Sequence, residues 1–454
     1  MDWLTLLPPL IAIVIAVWKK DVIISLLSAL LTAEVILTQG NPALGFLATA
    51  DRVVGVFASA GNTRILIFSL LIGALLSLMH KSGGVAAFVD WVTRKGLADN
   101  QRKVATMPTL LGIVIFIETN LSILTAGFIA RDLFDKVKMS RARLAYIIDS
   151  TCAPICVIIL FNAWGAFLLS LLSDYPIENP VQSLVYSIPY NLYSWLTLAL
   201  VFYTVWSGRV FGPMKQSEQK LETPKVDDHD VQPASRMSFM LVPLLIMIFG
   251  IVFFMWYTGD GKILDGSGSQ SVLWAVSLAC LVAFVMIRFS AHPQPAAKLV
   301  KWSFAGMSDL LPLVTTVLLA LALGNSMKAL GTGEFVAQMV SETLPLWTVP
   351  ALIFMSASII SFTTGTSWGT FGILIPIAVP IALANGIPVE IVIAAVVGGG
   401  VFGDHCSPIS DTTIVSSLAA GCDHLEHVKT QIPYALLAGS LSIGGFLVIG
   451  AFTV

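Results

Sequence analysis

The chain has 454 residues, 56% of them hydrophobic and 11% charged, with a mean hydropathy of +0.86. Soluble domains carry about 25% charged residues, so this composition describes a polytopic membrane protein. A formal net charge of −2 gives no footing for nucleic acid, and the cysteines (Cys152, Cys156, Cys280, Cys406, Cys422) lie in or beside apolar segments as packing residues, with no disulfide framework visible.

The first apolar run, Leu4 to Trp18, lacks a basic n-region and a small-residue cleavage site, so it reads as a retained helix. Stretches of spanning length occur at 3–18, 22–38, 64–79, 144–172, 185–206, 237–257, 271–288, 306–325, 391–420 and 433–453. Segments 84–97 and 332–344 are amphipathic and are expected at the interface. The polar stretch 208–236, with Lys215, Lys220, Lys225 and Asp227-Asp228, is expected to be a solvated cytoplasmic linker between two halves.

Segment 104–130 is too short to cross twice, since each crossing needs about 20 residues. Arg94, Lys95, Arg102 and Lys103 precede it, and Arg131, Lys136, Lys138, Arg141 and Arg143 follow it. Basic flanks mark cytoplasmic ends, so it reads as a re-entrant hairpin with its tip near Glu118–Ser122. Segment 346–385 is the counterpart. The connection after it, Asn385 to Glu390, has no Lys or Arg, and residues 326–345 carry only Lys328. This hairpin is expected to enter from the opposite side. Lys19-Lys20, the linker and the Arg288–Lys301 loop then fall in the cytoplasm, and Asp174–Glu178 and both termini fall outside. Each half has five spans and one hairpin. An odd count forces opposite threading, so the expected fold is all-α with two inverted-topology repeats, 1–207 and 237–454. Met79-His80-Lys81 against Met327-Lys328-Ala329 is a weak match in support.

A short pattern occurs once in each half. Thr119, Ser122, Thr125 and Gly127 are followed by Cys152, Pro154 and Ile155; Thr364, Ser367, Thr370 and Gly372 are followed by Cys406, Pro408 and Ile409. Such residues break helices, and broken backbone at membrane depth survives only inside protein or beside a wet cavity. Paired breaks in two halves point to a transporter's central site. Pro154 and Pro408 are expected to mark the breaks in 144–172 and 391–420.

A carboxylate near the bilayer centre costs about 2.5–3.5 kcal/mol, so each needs a partner or a role. Glu34, Glu118, Asp149, Asp309, Asp404 and Asp411 lie in apolar sequence. Carboxylate, freed carbonyls and hydroxyls form the hard-oxygen set that an alkali cation prefers. Desolvation raises a carboxyl pKa and an adjacent cation lowers it, so Na⁺ and H⁺ compete for one group. Asp404 and Asp411 are the main candidates, with Asp149 as partner from the first half. Glu118, Thr119, Asn120, Thr364 and Ser367 supply further oxygens, with Asn162 as another amide in the first half, and His405 is a pH-responsive neighbour. Asp411 also stands where it would cap a helix 412–420. Asp149 and Asp404 as salt-bridged structural residues, and small-residue helix packing at Thr363–Gly369, are the plainer readings. Zinc on His405, Cys406, Cys422, Asp423, His424 and His427 fits no structural pattern well.

Gly403-Asp404-His405-Cys406-Ser407-Pro408-Ile409-Ser410-Asp411-Thr412-Thr413 resembles the signature of the NhaC-type sodium/proton antiporters, commonly Gly-Asp-x-x-Ser-Pro-Leu-Ser-Asp-Thr-Thr. Thr364–Thr370 is also similar to that family. The chain departs from the pattern at His405-Cys406 and at Ile414 to Ser417. The resemblance implies inverted repeats with paired hairpins, elevator movement, a homodimer in the cytoplasmic membrane with lipid around it, and Asp404, Ser407, Asp411 and Thr412 at the ion site.

The expected function is Na⁺/H⁺ antiport without enzymatic activity or a resident cofactor. Coupled transport of a small organic acid or amino acid is the alternative, with Gly398-Gly399-Gly400 leaving space for the solute. A channel and an intramembrane hydrolase using Cys406 or a serine with His405 are more distant readings.

Overall fold

The computed structural model describes residues 3–19, 21–94, 100–116, 119–220, 235–263, 266–408 and 410–453, with Asp411 described by its backbone alone. Among the described residues there is no strand. The first half runs α1 (Leu7–Lys19), α2 (Val22–Leu37), α3 (Pro42–Gly55), α4 (Ala60–Lys81), α5 (Gly84–Arg94), α6 (Gln101–Val114), α7 (Thr119–Lys136), α8 (Arg141–Ile158), α9 (Ala163–Leu172), α10 (Pro180–Ser187) and α11 (Leu192–Ser207). After α12 (Pro213–Lys220) the second half runs α13 (Ser238–Thr258), α14 (Gly268–Arg288), α15 (Ala296–Asp309), α16 (Leu311–Leu330), α17 (Thr332–Thr343), α18 (Val349–Thr364), α19 (Ser367–Asn385), α20 (Val389–Cys406), α21 (Asp411–Ala420) and α22 (His424–Thr453).

With α10 and α12 set aside, the order of elements is the same twice. A long helix comes first (α1, α13), then a helix followed by a shorter one (α2–α3, α14–α15) and another long helix (α4, α16). A short helix (α5, α17), a helical hairpin (α6–α7, α18–α19), a broken helix (α8–α9, α20–α21) and a closing helix (α11, α22) complete each half. Among the described residues eight helices are long and apolar enough to cross a membrane, or ten when the bent pairs α2–α3 (118°) and α8–α9 (45°) each count as one span. Their outer faces carry Phe249, Phe253 and Leu281, as a lipid-facing surface does.

The second hairpin turns at Gly365-Thr366, where Gly365 has a left-handed φ of 68° that closes α18. Three details differ from expectation. The helix does not break at Pro154, which lies inside α8; the break follows at Ile159–Asn162. Asn162 makes it stable: its side-chain amide donates to the carbonyls of Cys156 (2.7 Å), Ile159 (2.8 Å) and Phe116 (3.0 Å), while its Oδ1 accepts from Gly165 N–H. The expected span 306–325 is divided at Leu310, because Pro312 in the first turn of α16 favours a fresh helix start. The segment expected to be solvated begins packed. Met214 is buried, Ser217 Oγ donates to Glu426 (2.6 Å), and Glu218 Oε1 accepts from Ser140 N–H and Oγ at the start of α8.

Gly398, Gly399 and Gly400 do not leave room for a solute. A Cβ on Gly399 would stand 2.4 Å from the Phe354 carbonyl oxygen, and one on Gly400 2.5 Å from the Phe371 ring. The glycines admit the hairpin's own backbone and aromatic side chains against α20.

Glu34, 3% exposed on α2, is held by Arg52 Nε of α3 (2.7 Å) and Ser326 Oγ of α16 (2.6 Å). This cluster ties the first helices of one half to the third long helix of the other. Arg52→Ala leaves the buried carboxylate with one neutral donor, and we expect a loss of about 3 kcal/mol, read as a lower thermal midpoint. Glu34→Gln should cost less, since the charge it leaves unpaired is the partly exposed Arg52 rather than a buried carboxylate.

Candidate functional site

Residues beside the two breaks, Trp164 of α9 with Asp404 of α20 and Thr412 of α21, line one cavity. Asp404, 1% exposed near the end of α20, accepts from Ser367 Oγ through Oδ2 at 2.8 Å. Ser367 opens α19, so the second hairpin tip holds this carboxylate. Ser361 and Ser367 hydroxyls also donate to the Gly400 carbonyl one turn before Asp404 (2.6 and 3.2 Å). The α20 helix then stops at Cys406, and Ser407 to Ser410 bridge to α21. Ser410, not Asp411, caps α21, accepting from Thr413 N–H at 3.3 Å. Asp411 is thereby the first residue of the helix, where the dipole favours negative charge. Its side chain and the whole of Glu118 lie outside the described residues.

Asp149 comes to the other side of the same break. It is fully buried on α8 and entirely engaged by the second half. Ser416 Oγ donates to Oδ1 (3.1 Å), and Gln431 Nε2 to Oδ2 (2.6 Å). Gln431 also donates to the His405 carbonyl (2.9 Å), and its Oε1 faces His427 Nε2 (2.9 Å). Thr413 Oγ1 stands between the two acids, 3.4 Å from the Asp404 carbonyl and 3.5 Å from Asp149 Oδ2. His427 Nε2 lies 3.9 Å from Asp149 Oδ2.

Asp404 faces a cavity of about 400 Å³ and Asp149 does not. The expected residues Thr119, Asn120, Thr364 and Thr412 line it, and Gly365 and Thr366 add the second hairpin's turn. Thr119 is 3% exposed and its Oγ1 has no hydrogen-bond partner among the described residues. The wall also takes Asp21 before α2, Asp309 at the end of α15, and Ser69 and Thr316 from the long helices α4 and α16. Trp164 and Trp368 close one side with ring centroids 5.1 Å apart. Among the described residues no Lys, Arg or His lines this cavity.

Ser367 thus serves Asp404 rather than the cavity. Ser407 is buried at the end of α20, outside the cavity wall. His405 is turned to Tyr193, whose hydroxyl meets Nδ1 at 3.0 Å, so it forms no pair with Cys406. Sequence reading missed Gln431, His427 as a partner of Asp149, and the tryptophans. His427, Thr430 and Gln431 form a polar stripe at helical spacing on α22, all within 1% of full burial, and that spacing was the available signal.

The Na⁺/H⁺ antiporter family matches residues 155–451. An uncharacterised protein of Haemophilus influenzae is 30% identical over 98% of this chain and 90% of its own length. The malate-2H⁺/Na⁺-lactate antiporter of Bacillus subtilis is 38% identical over 93 residues, about 20% of each chain. Among solved structures, MtrF of Neisseria gonorrhoeae, described as one of a class of antimetabolite efflux pumps, superimposes with a TM-score of 0.55 over 89% of this chain and 84% of its own, at 12% identity; that likeness concerns the fold. A buried acid at a broken helix, served by a hairpin tip and flanked by a polar cavity, stands inside the matched region, and the chain belongs to the Na⁺/H⁺ antiporter family as a multi-pass secondary transporter.

Proposed function

We propose that the protein exchanges Na⁺ for H⁺ across the cytoplasmic membrane at one carboxylate-centred site. The observation that carries this reading is Asp404, buried, fixed by Ser367 of the hairpin tip and standing in the wall of the cavity. Na⁺ would take oxygens from Asp404 and the surrounding hydroxyls and amides of Thr119, Asn120, Thr364 and Thr412. Asp411, at the positive end of α21, is the second acid of the site. A proton arriving at Asp404 removes the charge the ion needs, so one group exchanges the two. Asp149 is the partner acid behind the break, held by Ser416, Gln431 and Thr413.

Alternating access follows from movement of the hairpins and broken helices against α1–α4 and α13–α16. The basic flanks support inverted threading and both termini outside, with the cavity's Asp21 and Asp309 at the cytoplasmic mouth, and a homodimer of elevators rests on the family alone. The sliding surface is small-residue packing: a Cβ on Gly372 of α19 would stand 2.5 Å from Ala320 Cβ of α16. Gly372→Val is expected to keep the protein folded but slow exchange at least about tenfold, because overpacking of about 1–3 kcal/mol falls on the interface that must move. Proton flux measured with a pH dye in proteoliposomes on adding Na⁺ tests the main reading; no Na⁺-dependent flux at any pH would count against it.

A second reading has one observation in its favour. The cavity is an order of magnitude larger than the roughly 30 Å³ that one water occupies. A small organic solute carried with the ion fits that volume, and the Bacillus relative exchanges malate for lactate. Without a basic residue in the wall, an anionic solute would depend on the cation for its charge balance. Uptake of labelled malate and lactate with and without a Na⁺ gradient separates the two readings.

A further inference from the structure

Away from the central cavity, a second pocket of about 550 Å³ opens where α4, α13, α14 and α15 come together. Four basic side chains face it: Lys81 from the last turn of α4, Arg236 before α13, His292 after α14 and Lys298 in the first turn of α15. Among the described residues no carboxylate lines it, and Ser82, Ser235 and Ser290 bring hydroxyls.

The pocket is built rather than a chance gathering of surface charge. Ser235 N–H donates to the Gly83 carbonyl at 3.2 Å, and its hydroxyl donates to the Ser82 carbonyl. These bonds pin the returning chain to the turn after α4 and set Arg236 over the opening. Lys298 lies over the Trp302 ring, 5.1 Å from its centroid, which restricts the long side chain. Two helices of 21 and 14 residues, α13 and α15, begin at this pocket, and neither has a side-chain cap on its first N–H groups. Helix N-termini favour anions, and here they reinforce cationic side chains.

The ligand this chemistry recognises is a phosphate-type anion. We propose that the pocket binds the phosphate of an anionic phospholipid, with the acyl chains lying along the outer surface of α13 and α14. Exposed Leu281 and Val285 on α14 and Phe289 just after it, with Leu245 and Phe249 on the adjoining α13, give apolar surface on the helices that border the basic cluster. Basic pockets between membrane helices hold anionic headgroups in this way. The lipid anchors the elements that would stay still while the hairpins move.

The test uses the full-length protein in detergent, with lipid retention followed by native mass spectrometry and stability by thermal unfolding. Phosphatidylglycerol is expected to be retained and to raise the unfolding midpoint, and phosphatidylcholine is not. Arg236→Gln and Lys298→Gln should each weaken phosphatidylglycerol retention about fivefold, the share of one basic side chain at an anionic surface. Lys19→Gln, outside the pocket, should leave it unchanged and serves as the control for general charge. If either pocket variant fails to fold, the other carries the test, and Lys81→Gln stands in for the lost one. Equal protection by inorganic phosphate would overturn the lipid assignment in favour of a soluble phosphate. Retention unaffected by every pocket variant would overturn the site. Both readouts are independent of Na⁺ transport.

Discussion

Asp404→Asn is expected to abolish Na⁺-dependent proton exchange while leaving the fold intact. Asn keeps the volume, and its Oδ1 still accepts from Ser367, so the hairpin tip keeps its contact with α20. What disappears is the charge. Two unit charges about 4 Å apart interact by about 4 kcal/mol at an effective dielectric near 20. At about 1.4 kcal/mol per decade, Na⁺ affinity should fall about 10²–10³-fold. Ser367→Ala keeps the acid and loses one donor to it, so a weakening of about tenfold is expected, consistent with a hydrogen bond to a charged group. Na⁺ titration calorimetry and dye-reported flux on the same preparations check both. Wild-type exchange by Asp404→Asn would move the ion to another acid, Asp411 first.

Much of this arrangement was legible in the sequence because membrane depth makes polar residues costly. Apolar length located the long helices, and Thr364 to Ser367 located the second hairpin tip, since no other fold of that segment keeps its polar groups out of lipid. Asp404 stood out for the same reason, Thr412 only through the family resemblance, and both line the cavity. The details that were not legible depend on which residue receives a freed carbonyl. Pro154 removes a donor, yet α8 continues past it, and the chain breaks where Asn162 gathers three carbonyl groups from two helices. The Gly398–Gly400 run reads equally as ligand space or as close packing until the backbone of α18 is seen against it. Trp164 and Trp368 look like ordinary apolar residues in sequence, and their shared wall exists only after both halves have packed.

Asp149 gives the second large effect, with a different signature. Its oxygens accept from Ser416, Gln431 and Thr413 and are closed to the cavity, so it acts through the network behind Asp404. Asp149→Asn can keep its Oδ1 on the Gln431 amide and turn its Nδ2 to the Ser416 hydroxyl. What it loses is the charge these donors serve, and hydrogen bonds to a charged group are worth about 1.5–3 kcal/mol against about 1 for neutral ones. Exchange should fall at least about tenfold, with a lower thermal midpoint, unlike Asp404→Asn. The decisive variant moves the acid to the partner position. In Asp149→Asn with Gln431→Glu, the amide donates to the new carboxylate, which also still meets His427 Nε2. The His405 carbonyl loses its donor, so rescue is partial. If the midpoint recovers and exchange recovers with it, negative charge behind the break is what transport requires. Recovery of the midpoint alone assigns Asp149 itself as a group that must titrate. Recovery of neither would show that the network tolerates an acid only on α8.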